Sequence, residues 1–225
     1  MSKSVVGNMS DWSGVLSDVH RQIGDGSLTL GHFQAFLEHR NPFAITNIRE
    51  EWQEFYRKYF RITVDFSGVA IPEKLDDFTR VVFIPQGLTY ADIVKVLKKK
   101  FKTWFYTEKL DKDIKDDVRT SDKSYAVRFR ERVEADEEMK SLSANDLKAK
   151  DINSITLMER LILELKYFDE TGEHLDISNV TLCAGSRRSG GAVPYVYWHD
   201  DKLQVHWYDP GFVNDDLRAR VAVSA

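Results

Sequence analysis

Three observations on this chain predict an α+β fold. Helical periodicity runs through the first sixty residues, the period changes to two after Arg61, and paired alternating segments close the chain. In the first region Trp12, Val15, Leu16, Val19 and Ile23 follow helical spacing until Gly24-Asp25-Gly26-Ser27 interrupts it. A shorter helix carries Leu30, Phe33, Ala35, Phe36 and Leu37 and ends before Asn41, because Pro42 biases its predecessor away from helical dihedrals. In the third, Ile48, Trp52, Phe55, Tyr56 and Tyr59 share one face, Thr46 is placed as a cap, and Glu54 and Lys58 form an i,i+4 pair. Residues 1–60 are thus read as a helical N-terminal region and 61–225 as an α+β domain. The same periodicity serves a separate appendage or helices packed into one domain.

After Arg61 the alternation of Ile62, Val64 and Phe66 with Arg61, Thr63 and Asp65 predicts a half-buried strand. Val81-Val82-Phe83-Ile84, bounded by Pro85-Gln86-Gly87, reads as a buried strand, and Thr89 opens a helix carrying Tyr90, Ile93, Val94, Leu97 and Phe101. Residues Thr107 to Ser124 are charged and poor in apolar residues, which reads as a long loop or excursion. Tyr125, Val127, Phe129 and Val133 predict another strand, whose other face would carry arginines. Thr156-Leu157-Met158-Glu159 fits a capping box, and the helix after it is apolar over a wide arc up to Gly172, as a central packed helix should be.

The end of the chain reads as an antiparallel meander at about 179–184, 193–198 and 203–208. With Trp198 and Leu203 flanking a His199–Lys202 turn, Tyr195 opposes His206 and Tyr197 opposes Gln204. Tyr195, Tyr197, Gln204, His206 and Tyr208 then share one face, while Val196, Trp198, Leu203, Val205 and Trp207 share the other.

Composition narrows the function classes. Hydrophobic content of 42% with 30% charged residues is that of a folded domain, and the net charge of −4 argues against a dedicated nucleic-acid binder. One cysteine excludes an intramolecular disulfide framework and a cysteine-rich metal site. No apolar run is long enough to span a membrane, and Met1–Ser10 lacks the apolar stretch of a secretory signal, so a cytoplasmic location is expected.

Three sets of residues carry candidate chemistry. Gly185-Ser186-Arg187-Arg188-Ser189-Gly190-Gly191 places two guanidinium groups, hydroxyls and mobile backbone N–H groups between two strands, a combination suited to an anion. It matches neither the Walker nor the dinucleotide-binding pattern. Arg128, Arg130 and Arg132 recur every second residue over roughly 13 Å, a span able to follow a phosphodiester backbone. Cys183 with His174 or His206 as base is the one conceivable nucleophilic set, although Cys183 lies in a β-run where cysteine is usually buried and inert. No histidine spacing reproduces a metal motif, and no cofactor is expected.

The leading expectation is a non-enzymatic binding protein whose partner is anionic, a nucleic acid or a phosphate or carboxylate ligand held by Ser186, Arg187, Arg188, Arg128, Arg130 and Arg132. A hydrolase-like enzyme using Cys183 is one alternative. Another is an interaction or homo-oligomerisation module using Tyr195, Tyr197, His206 and Tyr208.

Overall fold

The computed structural model describes residues 9–26, 28–37, 47–107 and 109–225, and they form an α+β fold. The chain divides into two compact units, Met1–Asn47 and Ile48–Ala225. The first contains α1 (Met9–Gly24) and α2 (Leu30–Leu37). Gly26 at φ 78° closes α1, and Arg21 pairs along the helix with Asp18 and Asp25 at 2.8 and 2.9 Å. Trp12, Val15, Leu16 and Ile23, the apolar stripe of α1, are exposed. The expected Asn41 boundary and Thr46 cap lie outside the described residues.

The second unit begins with α3 (Ile48–Phe60), whose Trp52, Phe55 and Tyr56 are buried as the periodicity predicts. Then come β1 (Arg80–Ile84), α4 (Tyr90–Lys100), β2 (Thr103–Phe105), α5 (Leu110–Asp113), β3 (Ile114–Asp117), β4 (Tyr125–Phe129), a 3-10 turn at Glu137–Met139, α6 (Ala144–Ala149) and α7 (Leu157–Thr171). The chain ends with β5 (Val180–Leu182), β6 (Ser186–Arg188), β7 (Val193–His199), β8 (Lys202–Tyr208), β9 (Leu217–Ala219) and β10 (Val223–Ser224). Strands β1, β4 and β10 form an antiparallel sheet, β3 and β6 a two-stranded ribbon, and β2-β8-β7-β5-β9 a five-stranded mixed sheet. In that larger sheet β2 runs parallel to β8 and β9 parallel to β5.

Helix α7 joins these layers, packing on β1, α4 and β7. Thr156 accepts the Glu159 N–H while Glu159 accepts the Thr156 N–H at 2.8 Å, the reciprocal capping that the sequence predicts, and Gly172 ends the helix at φ 74°. Leu157, Leu161, Ile162 and Leu165 are fully buried, each contributing about 1.5–3 kcal/mol by leaving water. The β7–β8 hairpin has the predicted register, with Trp198 opposite Leu203, Tyr197 opposite Gln204 and Tyr195 opposite His206. Its turn is made by Asp200 and Asp201, both at positive φ (51° and 55°), the backbone that matches the twist of paired strands.

Three local expectations are corrected. Residues 61–66 form no strand. Arg61 takes a left-handed φ of 61°, an Asp65 side chain accepts the Ser67 N–H at 2.8 Å, and the Phe66 and Val69 carbonyls accept from Arg49 at 3.0 and 2.9 Å. Turn chemistry and a helix side chain therefore take the backbone groups a strand would need, and the alternation serves chiefly to bury Phe66. Residues 107–124 are not one long loop, because Leu110 and Ile114 are buried and hold α5 and β3 in place. Strand β4 stops at Phe129 instead of continuing to Val133, where Arg132 N–H turns back to the Arg130 carbonyl at 3.1 Å.

The core also holds charge. Arg160, Glu164 and Asp176 are fully buried and Arg220 nearly so. Arg160 pairs with Glu164 and Asp176 at 2.7 and 2.8 Å, and Arg220 pairs with Asp176 at 2.7 Å. Burial alone would raise the Asp176 carboxyl, yet Arg220 and Arg160 hold it below its ordinary value. One residue before Arg160, Glu159 accepts from Arg119 at 2.6 Å and from the Tyr125 hydroxyl at 3.0 Å. These charges are compensated in place, as buried charges must be.

Candidate functional site

The Gly185–Gly191 segment is built around the start of α7. A Cβ on Gly185 would lie 2.6 Å from the Ser154 carbonyl oxygen, so only glycine allows this backbone approach. The approach delivers Ser186 to α7, where its Oγ accepts the Leu157 N–H at 2.8 Å and donates to Asp117. Asp117 also accepts from the Tyr90 hydroxyl at 2.8 Å. Burial pushes the Asp117 carboxyl up to about 6, against the lowering effect of those two hydroxyls. Ser186 is thus fully buried and serves the helix start. Gly190 and Gly191, at φ 96° and 90°, make the turn into β7.

The two arginines of the segment differ from the rest. Arg187 spends one Nη on the Ala184 and Ser186 carbonyls at 2.7 and 2.8 Å, and burial lowers its pKa. Arg188 lies 5.7 Å from the Tyr106 ring centroid and 5.3 Å from that of Trp207, and its buried Nε has no hydrogen-bond partner among the described residues. By contrast, Arg128 donates to the Pro72 and Thr79 carbonyls at 2.7 and 3.1 Å. Arg130 pairs with Asp136 at 2.8 Å and covers Phe78, and Arg132 pairs with Glu138 at 2.7 Å and Asp77 at 2.8 Å. Arg132 in turn holds the Glu138 carboxyl down to about 2. These three belong to β4 and the turn after it, whereas Arg187 and Arg188 belong to the β3–β6 ribbon.

Cys183 is fully buried, its sulfur 3.9 Å from the Thr181 carbonyl oxygen, and burial pushes its thiol far up. His174 stacks on Trp198 and Phe168 and bonds Glu164 through Nδ1 at 2.8 Å. His206 stacks on Trp104 and meets Gln204 at 3.2 Å. Each histidine is therefore held by partners other than the cysteine. Among the described residues there is no group of three or more His, Cys, Asp or Glu able to hold a metal ion, and no helix long and apolar enough to cross a membrane.

The face of β7 and β8 that carries the tyrosines is an assembled aromatic surface. Tyr195 stacks on Tyr208 at 3.9 Å and on His206 at 5.3 Å, with Tyr197 at 5.9 Å and Phe212 stacked on Tyr208 at 4.0 Å. Strand β2 extends the row: Trp104 stacks on His206 at 4.1 Å and meets Tyr106 at 6.2 Å. Trp104 and Tyr106 are 41% and 59% exposed, while the tyrosines of β7 and β8 are half-buried because their rings cover one another. Over β5 and β9 the sheet is covered, since Ala144 and Leu147 of α6 pack with Leu182, Leu217 and Ala219. Sequence reasoning missed Trp104 and Tyr106, because Trp104-Phe105-Tyr106 is an unbroken aromatic run with no alternation in polarity to mark two strand faces.

The fold and this face define an α+β protein with an aromatic sheet surface. Comparison with protein-family models, curated proteins and solved structures finds no match to the chain.

Proposed function

We propose that this protein is a non-enzymatic interaction module that binds a partner protein through the aromatic face of β2, β8 and β7. The observation that carries this reading is the contiguous row Tyr106–Trp104–His206–Tyr195–Tyr208–Phe212, which packs at Tyr195 and Tyr208 against the cluster that α6 forms and is most exposed at Trp104 and Tyr106. Tyrosine and tryptophan are the side chains that dominate binding hot spots, because they offer large, stiff, amphipathic area at low entropic cost. Arg188 at the margin, packed on Tyr106 and Trp207, is the third such residue type.

Two features favour protein over nucleic acid. Near-parallel rings that stack on each other have little face left for a base, so their edges, hydroxyls and ring nitrogens meet the solvent. Asp200, Asp201 and Asp209 flank the strands and would repel phosphates. The exposed part of this face is made of Trp, Tyr, His and Gln, with Val193 buried at its α6 end, and that polar character favours a separable partner over an obligate homodimer, whose interface would be more apolar. A cytoplasmic setting is in keeping with one buried cysteine that forms no disulfide.

The test compares wild type, Trp104→Ala with Tyr197→Ala, and Lys99→Ala as a surface control in quantitative affinity capture. A protein retained by wild type and control is then purified, and its affinity is measured by calorimetry. The double variant is expected to lose at least about 30-fold in affinity, the scale of a hot-spot truncation. Equal affinity for all three contradicts the proposal. So does concentration-dependent dimerisation of wild type that the double variant abolishes, which would make a second copy the occupant.

A further inference from the structure

A separate pocket of about 420 Å³ lies beside α6, where the end of β3 meets the turn before β6. Val118, Leu147 and Ile152 supply its apolar wall, and its charged groups are Arg187, Lys148, Asp116 and Asp151. This size and lining, mostly apolar with a few charged groups, suit a small ligand. Arg80, Arg119, Arg130, Arg132, Arg160, Arg218 and Arg220 each pair with a carboxylate, but among the described residues none pairs with Arg187. Asp116 sits opposite Arg187 in the β3–β6 ladder, is exposed, and makes no ion pair with it. Arg187 therefore faces the pocket as a partly desolvated cation with most of its fork unspent, the arrangement that a carboxylate or phosphate completes.

The other charges choose between those two anions. Two aspartates in the same pocket oppose a phosphate dianion, and they offer a place for a cation. We infer that this pocket binds a small zwitterion of the amino-acid type, with its carboxylate on Arg187, its apolar body on Val118, Leu147 and Ile152, and its ammonium toward Asp116 or Asp151. Lys148 adds long-range attraction for the carboxylate from an exposed helix position. This site is independent of the aromatic face, and neither depends on the other.

The experiment uses L-leucine, 4-methylpentanoate and inorganic phosphate as probes of the full chain, read by amide chemical shifts. Leucine is expected to shift residues 147–153 and 184–187 saturably, and Arg187→Gln to weaken it by about tenfold or more, the loss of a charge-assisted pair. Lys148→Ala, which leaves the carbonyl contacts of Arg187 intact, should weaken leucine by a smaller factor, so the reading survives even if Arg187→Gln disturbs the fold. Four results overturn the inference: no saturable shift at these residues, leucine binding untouched by both variants, phosphate binding more tightly than leucine, or 4-methylpentanoate, which lacks the ammonium, binding as tightly as leucine.

Discussion

The two faces of the β7–β8 hairpin are made by the same fourteen residues of strand, yet they meet opposite fates. Val196, Leu203 and Val205 point into the core, with Trp198 and Trp207 packed against its edge. Their neighbours one residue away, Tyr195, Tyr197, Gln204, His206 and Tyr208, form a half-buried row that meets the α6 cluster at Tyr195 and Tyr208 and water at Tyr197, Gln204 and His206. Period-two geometry makes both faces at once, so what separates their centres is chemistry: Val196, Leu203 and Val205 on the covered face, Tyr195, Tyr197 and His206 on the other. A face rich in hydroxyls and ring nitrogens tolerates water when alone and loses little when it leaves water with a partner.

Four measurements would break or sharpen this contrast. The largest effect is expected at Cys183, which lies beneath the covered face. Thiol labelling of the folded protein should be slower than that of the unfolded chain by more than about 10³-fold, because the sulfur is reached only by opening the structure. Rapid labelling under native conditions would revive the nucleophile reading with His174 or His206.

Next is the buried charge cluster behind the sheet. Asp176→Asn leaves Arg160 and Arg220 without their shared carboxylate and is expected to cost about 3–5 kcal/mol in urea unfolding. A loss below about 1 kcal/mol would mean that solvent reaches this cluster and the covered face is not sealed.

Asp117 gives a pH signature of similar but smaller size. Its carboxyl ionises near its ordinary 3.8 in the unfolded chain and near 6 when folded. Between those values the unfolded chain has already released a proton that the folded protein keeps, so this group's contribution to stability falls as pH rises from 4 to 6 and stays low above. Asp117→Asn should therefore gain on wild type by about 3 kcal/mol between pH 4 and pH 7. Parallel stability curves for the two proteins would contradict this account of the site beneath Ser186.

The smallest effect belongs to the open face. Trp104→Ala should cost only about 1 kcal/mol of stability, the worth of its ring contacts, because the residue is already 41% exposed. A loss comparable with that of Asp176→Asn would show the aromatic row to be structural instead of a surface for a partner.

Much of this architecture was legible in the sequence where local signals agreed. The capping box at Thr156 and Glu159, the Gly172 stop and the alternation around Asp200-Asp201 each have a short-range physical cause, and α7 and the hairpin follow them. What was illegible depends on contacts distant in sequence. Residues 61–66 alternate like a strand, but Arg49, reaching from a helix, takes the carbonyl of Phe66 and that of Val69 just beyond. Ser186 reads as a loop hydroxyl suited to an anion, yet it is drawn to Leu157 by an approach visible only once Gly185 meets Ser154. The fate of each arginine, from Arg128 on a carbonyl to Arg132 on Glu138 and Arg187 beside a pocket, likewise rests on partners that spacing does not reveal. Tyr195, Tyr197, His206 and Tyr208 were placed on one face by alternation alone, but Trp104 and Tyr106 joined them through a parallel strand too short to announce itself.

The most direct test of the central claim is hydrogen exchange of β2, β7 and β8 with and without the captured partner protein. If the aromatic face is the binding surface, protection should rise at 103–106, 193–199 and 202–208, and the same partner should leave exchange unchanged in the Trp104→Ala, Tyr197→Ala protein. Protection confined to other segments, with these three strands unaltered, would contradict it.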